Sequence, residues 1–306
     1  MIGLSTGDGT APHRYFLAVA EERNFTRAAA RVGIGQPPLN QQIKGPESEV
    51  GVALFHRIPQ GAELTDAGRA FLDHVQAIPS QAERAVRAAQ RAARGEIGSL
   101  RVGYTGSASF NPIVTGAIRS FKCAYPDVDL SLEEDNTTRL IAGLRGHLLD
   151  VVFLRSGDLG CEDLQLHPLS EEPMLVALPA GHPAAGSSPV DLRQLRDEPL
   201  IVPPRAVGQA LFDTVIATCR GAGFEPLLGQ PAPQMGTVVN LVAAELGYAL
   251  VPASFRQVQV TGVAYREIEG STTVARLALA FRRGSTSDIV RNFMARARHS
   301  ARVSTA

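Results

Sequence analysis

Residues 24–57 read NFTRAAARVGIGQPPLNQQIKGPESEVGVALFHR, and this stretch decides the fold of the first part of the chain. Its apolar residues recur at helical spacing in two groups, which are Phe25, Ala28, Ala29 and Val32 and then Leu39 and Ile43. Only a tight turn fits between the groups, over residues 32–35. Two helices joined by a turn of about three or four residues are typical of the helix-turn-helix, whose second helix lies in the DNA major groove. A helical hairpin with one polar face is the alternative.

The second predicted helix begins with Gln36-Pro37-Pro38 and continues with polar side chains. Proline is tolerated in a first helical turn because the backbone N–H groups there have no partner within the helix. Asn40, Gln41, Gln42 and Lys44 can bond base edges or phosphates. Gln41 or Gln42 suits a bidentate contact with adenine, whereas Lys44 suits a phosphate. The alternative is that Gln42 and Lys44 point into solvent.

Three segments occur in order between residues 25 and 72, and they read FTRAAARVGIGQPPLNQQIK, EVGVALFHR and ELTDAGRAFL. Together they resemble the N-terminal domain of LysR-type transcriptional regulators. The resemblance implies a winged helix-turn-helix DNA-binding domain over residues 11–64, with its wing at residues 55–64. It implies DNA contacts from Thr26, Arg27, Gln36, Pro37, Pro38, Asn40, Gln41, Lys44 and Arg57. Residues 1–10 are rich in Gly, Ser and Thr and are expected to be disordered.

Gly45-Pro46-Glu47 departs from the pattern of that family, which usually has a Leu-Glu pair in a continuing helix. Pro46 lacks an N–H and disfavours helical backbone at Gly45. The sequence therefore predicts an interruption behind the recognition helix. It also predicts weaker packing there, because the leucine that the family usually buries is absent.

Residues 65–97 predict a long helix and then a hinge. Thr65 is a good N-cap residue, and Asp66 suits the positive end of a helix. Apolar residues at alternating steps of three and four form a heptad seam, made of Phe71, Val75, Ile78, Ala82, Ala85, Ala89 and Ala92. The seam predicts a dimerisation helix, which is also its role in the resembling family. Pro79 predicts a kink in this helix.

Beyond residues 95–99, strand and helix patterns alternate, which predicts a parallel sheet flanked by helices. The first segments are LRVGY, a helix from Asn111-Pro112, DLSLEE, TTRLIAGLRGHLL and DVVFLR, and the pattern restarts at PMLVALP and LIVPP. Two such α/β halves resemble the periplasmic-binding-protein-like effector domain of LysR-type regulators. The resemblance implies an effector domain over residues 98–306, with lobe I at 98–168 and 268–306 and lobe II at 169–267. The fold class is therefore α/β with an all-α, winged-helix N-terminal domain. The segments are most similar to the branch that senses aromatic acids and their ring-cleavage products.

Polar side chains follow the predicted strands at the edge where a fold of this kind has its ligand cleft. The candidate effector contacts are Ser107, Ser109, Asn136, Thr137, Thr138, Arg155, Pro203, Pro204 and Arg205. Hydroxyl and N–H groups at helix starts suit a carboxylate, and a guanidinium adds charge in a fork geometry. We therefore predict a small carboxylate effector, aromatic or dicarboxylic. Alternatively, Ser107 and Thr137 only cap helices, and Arg155 pairs with an acid such as Glu134.

The 306 residues carry a formal net charge of zero, so any charge for DNA must be local. No apolar run reaches the roughly 18 residues of a membrane span, and the first residues lack the basic and apolar regions of a secretory signal. Cys123, Cys161 and Cys219 lie far apart, which favours inert buried thiols in a reduced compartment over a redox pair. These features predict a cytoplasmic protein with no membrane partner, metal or cofactor.

The whole chain favours a sequence-specific DNA-binding regulator, and not an enzyme, whose activity a small molecule sets. The expected partners are double-stranded DNA with a pseudo-palindromic operator, a second copy in a dimer or tetramer, and RNA polymerase. A solute-binding protein is the alternative, but it would leave residues 12–64 unexplained. An α/β enzyme has less support, because the G-x-S-x-G match at residues 3–7 lacks its strand and helix and no nucleotide-binding glycine motif follows a strand.

Overall fold

A computed structural model describes residues 12–59, 61–157, 162–285 and 287–305. The chain divides after Gln90 into two compact units. Several features discussed above lie outside the described residues, and these are residues 1–10 with their G-x-S-x-G match, Gln60 of the wing and Cys161.

The first unit consists of helices and one small hairpin. Its elements are α1 (Pro12–Glu22), α2 (Phe25–Val32), α3 (Gln36–Val50), β1 (Phe55–Ile58), β2 (Gly61–Leu64), α4 (Asp66–Val75) and the greater part of α5 (Ile78–Ala93). The two strands pair antiparallel, with Phe55 opposite Leu64. This hairpin forms the predicted wing.

Local capping produces the turn between α2 and α3. The Asn24 side chain accepts hydrogen bonds from the N–H groups of Thr26 and Arg27 at 2.9 and 3.0 Å, which starts α2. Gly33 ends α2 in the left-handed conformation, with φ of 76°, which favours glycine. The predicted helix-turn-helix is confirmed.

Phe16 lies at the centre of the core of the first unit. It is fully buried, and its ring centroid is 5.0 Å from that of Phe55 and 4.8 Å from that of Phe71. Leu39 and Ile43 of α3 are buried in the same core. Because α3 packs through these residues, its polar side faces away from the core.

The predicted interruption at Pro46 is wrong, since α3 continues through it to Val50. The buried residues of α3 are Leu39, Ile43 and Pro46, so the Pro46 ring lies on the same buried face of the helix as the two aliphatic side chains. The Glu47 carboxylate then accepts from the N–H groups of Leu54 and Phe55 at 2.9 and 3.3 Å. This burial and anchoring outweigh the local cost of an internal proline, which is about 3 kcal/mol.

The predicted linker helix is divided in two, because α4 ends at Val75 and α5 begins at Ile78. The break lies in the turn before Pro79, at the predicted kink. Pro79 is the second residue of α5, where its missing N–H costs nothing. Val75 is buried, and Phe71 packs edge-to-face on Phe16, so the start of the predicted seam belongs to the core of the first unit. The predicted N-cap is confirmed, because the Thr65 hydroxyl accepts from the Gly68 N–H at 2.9 Å.

The second unit carries the remaining strands and helices. Its elements are β3 (Gly98–Tyr104), α6 (Gly106–Ser109), α7 (Pro112–Ala124), β4 (Val128–Glu134), α8 (Thr137–Arg145), β5 (Val151–Arg155), β6 (Leu164–Pro179), β7 (Pro199–Leu200), α9 (Gln209–Gly221), β8 (Leu227–Leu228), α10 (Met235–Ala243), β9 (Ala249–Pro252), β10 (Val263–Glu267), β11 (Val274–Arg282) and α11 (Asp288–Thr305). Short 3-10 helices lie at Pro183–Gly186, Leu192–Leu195 and Ala253–Gln257.

A seven-stranded sheet in the order β10-β6-β11-β5-β3-β4 organises this unit, and β9 also pairs with β6. β3 pairs in parallel with β4 and with β5, which confirms the predicted βαβαβ arrangement. Parallel pairing brings the carboxyl ends of β3, β4 and β5 to one edge of the sheet.

The segment PMLVALP does not start a new unit, because it is the second half of the 16-residue strand β6. The first half of β6 pairs with β11, and the second half pairs with β9 and β10. β6 therefore runs through both lobes. We call β3, β4, β5, β11, α7, α8 and α11 the first lobe, and β9, β10, α9 and α10 the second lobe.

Each lobe has its own buried side chains. Phe121, Phe153 and Phe293 fill the first lobe, and Tyr248 and Phe255 fill the second. Each lobe can therefore keep its internal packing if their separation changes.

Two further predictions need correction. The strand predicted at LIVPP is only Pro199–Leu200, and Pro203 and Pro204 have no N–H that could extend a ladder. Cys219 is buried as predicted, but Cys123 is exposed. Cys123 is exposed because it lies off the buried face of α7, which is formed by Ile113, Val114, Ala117 and Phe121.

Candidate functional site

The first candidate site is the exposed side of α3. Gln36, Pro37, Pro38, Gln41, Gln42 and Lys44 are exposed, whereas Leu39 and Ile43 are buried. The predicted DNA-contacting residues of α3 therefore share the side away from the core. Gln42 is exposed with them, so the structure does not separate it from Gln41.

Two side-chain contacts join this surface to its neighbours. The Thr26 hydroxyl donates to Gln36 Oε1 at 3.2 Å, which links the start of α2 to the start of α3. Arg57 Nη2 of the wing donates to Asn40 Oδ1 at 3.3 Å, and its guanidinium carbon lies 4.9 Å from the centroid of the Phe25 ring. Arg57 therefore stands beside the recognition helix, as a phosphate contact requires.

Arg27 differs from the other predicted contacts because it already has an acidic neighbour. Its Nη2 donates to the Glu22 carbonyl at 2.6 Å, and its Nε lies 3.5 Å from a Glu22 carboxylate oxygen. The side chain of Lys44, in contrast, has no hydrogen bond or ion pair with any other residue that the structure describes.

The second candidate site is a cleft of about 250 Å³ in the second unit, at the carboxyl ends of β3, β4 and β5. Of the predicted effector contacts it brings together Ser107, Asn136, Thr137, Arg155 and Pro203. The second lobe contributes Leu211 of α9 and Met235 of α10. The cleft therefore has polar groups on one side and apolar side chains on the other, as ligand sites commonly do.

The other predicted contacts lie outside the lining of the cleft, and these are Ser109, Thr138, Pro204 and Arg205. The Ser109 hydroxyl instead donates to the Gly106 carbonyl at 2.8 Å. Arg205 forms a bidentate pair with Asp213 at 2.8 and 2.9 Å. The polar groups of Ser109 and Arg205 are therefore bonded to local partners instead of facing the cleft.

Ser107 and Thr137 do not act as side-chain caps, contrary to the alternative above. Helix α6 has no side-chain cap, and α8 is capped by Asn136, whose Oδ1 accepts from the Arg139 N–H at 2.9 Å. The side chain of Asn136, and not that of Thr137, therefore has the capping role. The Thr137 hydroxyl has no hydrogen bond with any other described residue.

Arg155 lines the cleft, but a buried acid already pairs with its charge. Its Nη1 donates to Glu172 Oε1 at 2.6 Å, and its Nη2 donates to the Ser107 carbonyl at 2.8 Å. Only 5% of the Arg155 side chain and 11% of the Glu172 side chain are exposed. Arg155 is therefore not a free counter-charge, and its partner is Glu172, not Glu134.

Glu172 joins elements of both lobes to β6. Besides Arg155 it accepts from Asn111 Nδ2 at 2.9 Å, next to α7, and from the Ser254 N–H at 2.6 Å, after β9. Burial raises the pKa of Glu172, but the Arg155 charge and these three hydrogen bonds outweigh it and leave the pKa below its ordinary value. The carboxylate is therefore ionised at neutral pH.

Sequence reasoning missed several residues of the cleft, which are Thr105, Glu134, Asp135, Val207, Leu211, Gln234 and Met235. Glu134 and Asp135 directly precede Asn136 at the end of β4, so the argument that selected Asn136 would have selected them too. The second-lobe residues gave no such signal, because only the folded chain brings α9 and α10 to this edge.

The described residues contain no group of His, Cys, Asp or Glu side chains that could hold a metal ion. Among the same residues, no helix has the length and apolar character needed to cross a bilayer.

A helix-turn-helix unit and a two-lobed α/β unit with a ligand cleft define a DNA-binding regulator of the ligand-responsive class. The family model for bacterial regulatory helix-turn-helix proteins of the lysR family matches residues 13–69, and the model for the LysR substrate binding domain matches residues 93–302. The chain belongs to the LysR family of transcriptional regulators.

Several known regulators are similar along nearly the whole chain. The regulator BudR of Raoultella terrigena is 38% identical, over 92% of this chain and 97% of its own. AlsR of Bacillus subtilis is 34% identical, over 92% of each chain. The crystal structure of full-length CbnR with its target DNA is similar with a TM-score of 0.83 at 28% identity, over 95% of this chain and 98% of that one. The relatives are regulators, so the protein is not an enzyme, and a solute-binding protein does not fit either.

Proposed function

We propose that this regulator binds a small carboxylate in the cleft of its second unit and that binding changes the action of a dimer on a pseudo-palindromic operator. The observation that carries the proposal is that Ser107 and Thr137 line the cleft although both are buried, with exposed fractions of 7% for Ser107 and 8% for Thr137. Buried hydroxyls at a cleft suit an acceptor-rich ligand, because a carboxylate can take a hydrogen bond from each. Regulation of transcription would bring RNA polymerase in as a further partner, and an aromatic acid remains one form of the predicted ligand.

Removal of either hydroxyl is expected to weaken the binding of the carboxylate ligand. Hydrogen bonds to charged groups contribute about 1.5–3 kcal/mol, so Ser107→Ala and Thr137→Val should each lower affinity by roughly tenfold or more. Calorimetry on the full chain with small acids, including benzoate, succinate and leucine, measures this. Ser109→Ala is the matched control, because its hydroxyl donates to the Gly106 carbonyl and does not line the cleft. Unchanged affinity in both cleft variants would refute the proposal.

We infer that Lys44 contacts a DNA phosphate. Lys44→Ala should therefore weaken binding to all sequences and lower the salt slope of the binding constant by about 0.9, the value for one phosphate contact. Fluorescence titration of labelled operator and non-operator duplexes at several salt concentrations measures both quantities. Arg220→Ala is the control, since Arg220 is an exposed arginine of the second unit and pairs with Glu225. An unchanged slope for Lys44→Ala would place Lys44 away from DNA.

We also propose that α5 pairs with α5 of a second copy. Within α5, which the structure describes in full, no side chain is buried, so its alanine seam is uncovered in the single chain. Ala85→Glu would place a charge in that seam and should yield monomers in sedimentation equilibrium. Gln90→Glu adds the same charge on the exposed side away from the seam and should leave the dimer intact. A stable dimer of the Ala85→Glu variant would show that the dimer interface lies outside the α5 seam.

A further inference from the structure

Among small carboxylates, the charges of the cleft favour one that also carries a positive group. Arg155 brings one positive charge, but Glu172 lies 2.6 Å away and compensates it. Glu134 and Asp135 line the same cleft, and because Asp135 pairs with Arg139 at 3.5 Å, Glu134 brings the uncompensated negative charge. A simple carboxylate, and more so a dicarboxylate, would meet net repulsion there unless it also carried a positive group.

Glu134 is the acid in this cleft that lacks a partner. Asp135 accepts from the Asn136 N–H at 2.7 Å and lies 3.5 Å from Arg139. The side chain of Glu134, the last residue of β4, has no hydrogen bond or ion pair with any other described residue. Its carboxylate is therefore available to a ligand.

The position of this carboxylate places it beside the hydroxyl groups. A methyl group added at Gly106 would lie 2.9 Å from Glu134 Oε1, so the carboxylate lies against the loop that carries Ser107. Thr137 begins α8 three residues after Glu134 and also lines the cleft. A negative group and two hydroxyl groups thus surround one small space, which fits a ligand with a cationic end and a carboxylate end.

The opposite wall of the cleft is apolar and comes from the second lobe. Its apolar side chains are those of Leu211 in α9 and Met235 in α10, together with Pro203 and Val207 in the segment before α9, and Gln234 is its polar member. A ligand that fills the cleft would therefore place hydrocarbon against this wall.

We infer that the effector is a small amino acid with an apolar side chain. Its carboxylate binds the hydroxyls of Ser107 and Thr137, its ammonium group binds the Glu134 carboxylate, and its side chain packs on the second lobe. The inference rests on the proposed function, which places a carboxylate in this cleft, and it adds the positive group and the specificity residue.

Calorimetry on the full chain with L-leucine, L-valine and 4-methylpentanoate tests it, because the last compound is leucine without its ammonium group. We expect an amino acid to bind at least tenfold more tightly than 4-methylpentanoate. Glu134→Gln should lower the affinity for the amino acid at least tenfold and should not lower the affinity for 4-methylpentanoate. Glu133→Gln is the matched control, because Glu133 precedes Glu134 on β4 and is exposed like it but does not line the cleft.

The outcomes separate the two proposals. If 4-methylpentanoate binds as tightly as leucine and loses affinity in Ser107→Ala, the carboxylate site stands and the amino-acid inference is overturned. If an amino acid binds equally well to wild type and Glu134→Gln, the role of Glu134 is overturned. If none of these acids binds, both the inference and the proposed carboxylate site fall.

Discussion

Glu172→Ala is expected to destabilise the second unit by about 3–5 kcal/mol, because it leaves the buried Arg155 guanidinium without its counter-charge. The substitution also removes the acceptor for Asn111 Nδ2 and for the Ser254 N–H. For a unit of this size the loss corresponds to a fall in melting temperature of roughly 6–20 °C. Differential scanning calorimetry of the full chain measures it.

The neighbouring residue supplies the control. Glu171 is 60% exposed and pairs at 2.8 Å with Arg276, which is 62% exposed. Exposed pairs contribute about 0–1 kcal/mol, so Glu171→Ala should change the melting temperature little. A double variant with methionine at both 155 and 172 should recover much of the loss, since apolar replacement of a buried pair is often neutral. Equal effects at 171 and 172 would show that the buried pair does not stabilise the unit.

The pH dependence follows from the lowered pKa of Glu172. A carboxyl group whose pKa is lower in the folded state than in the unfolded state stabilises the fold above its unfolded pKa, which is near 4.5. That stability is lost as the pH falls through the folded pKa. Wild type should therefore lose more stability than Glu172→Gln when the pH is lowered from neutral to below about 4.

Gly68→Ala is expected to disrupt the winged helix-turn-helix. A methyl group at Gly68 would lie 2.0 Å from the backbone carbonyl oxygen of Leu54. That oxygen also accepts from the Thr65 N–H at 3.0 Å, so it cannot move without breaking the junction between the wing and α4. Overpacking costs about 1–3 kcal/mol or more, and a backbone obstacle places this case at the upper end.

The functional consequence should be confined to the first unit. We expect Gly68→Ala to lower operator affinity strongly while ligand binding in the second unit is retained, as measured by DNA titration and calorimetry on one preparation. Gly45→Ala is the matched control, because a methyl group there meets nothing within 4 Å. Alanine in a helix is favoured over glycine by about 0.5–1 kcal/mol, so this variant should be slightly more stable. Normal operator affinity in Gly68→Ala would contradict the prediction.

Local signals in the sequence determined the helix-turn-helix and the parallel βαβαβ core. Asn24 and Gly33 specify the start and end of α2 through bonds within a few residues, and apolar spacing places Leu39 and Ile43 on the buried side. The edge of the sheet was predictable for the same reason, because parallel strands put Ser107 and Thr137 at neighbouring ends whatever surrounds them.

Contacts between residues distant in the chain decided the rest. The helix continues through Pro46 because the proline ring is buried. Phe71 packs on Phe16 in the core of the first unit and so does not belong to the predicted dimer seam. Arg155 is paired because β6 brings Glu172, 17 residues further along, to its side. Burial and charge pairing depend on which groups come into contact in the folded chain, and local sequence periodicity does not specify contacts between distant residues. The position of Glu134 at the end of β4 could be predicted, but its lack of a partner is visible only in the folded chain.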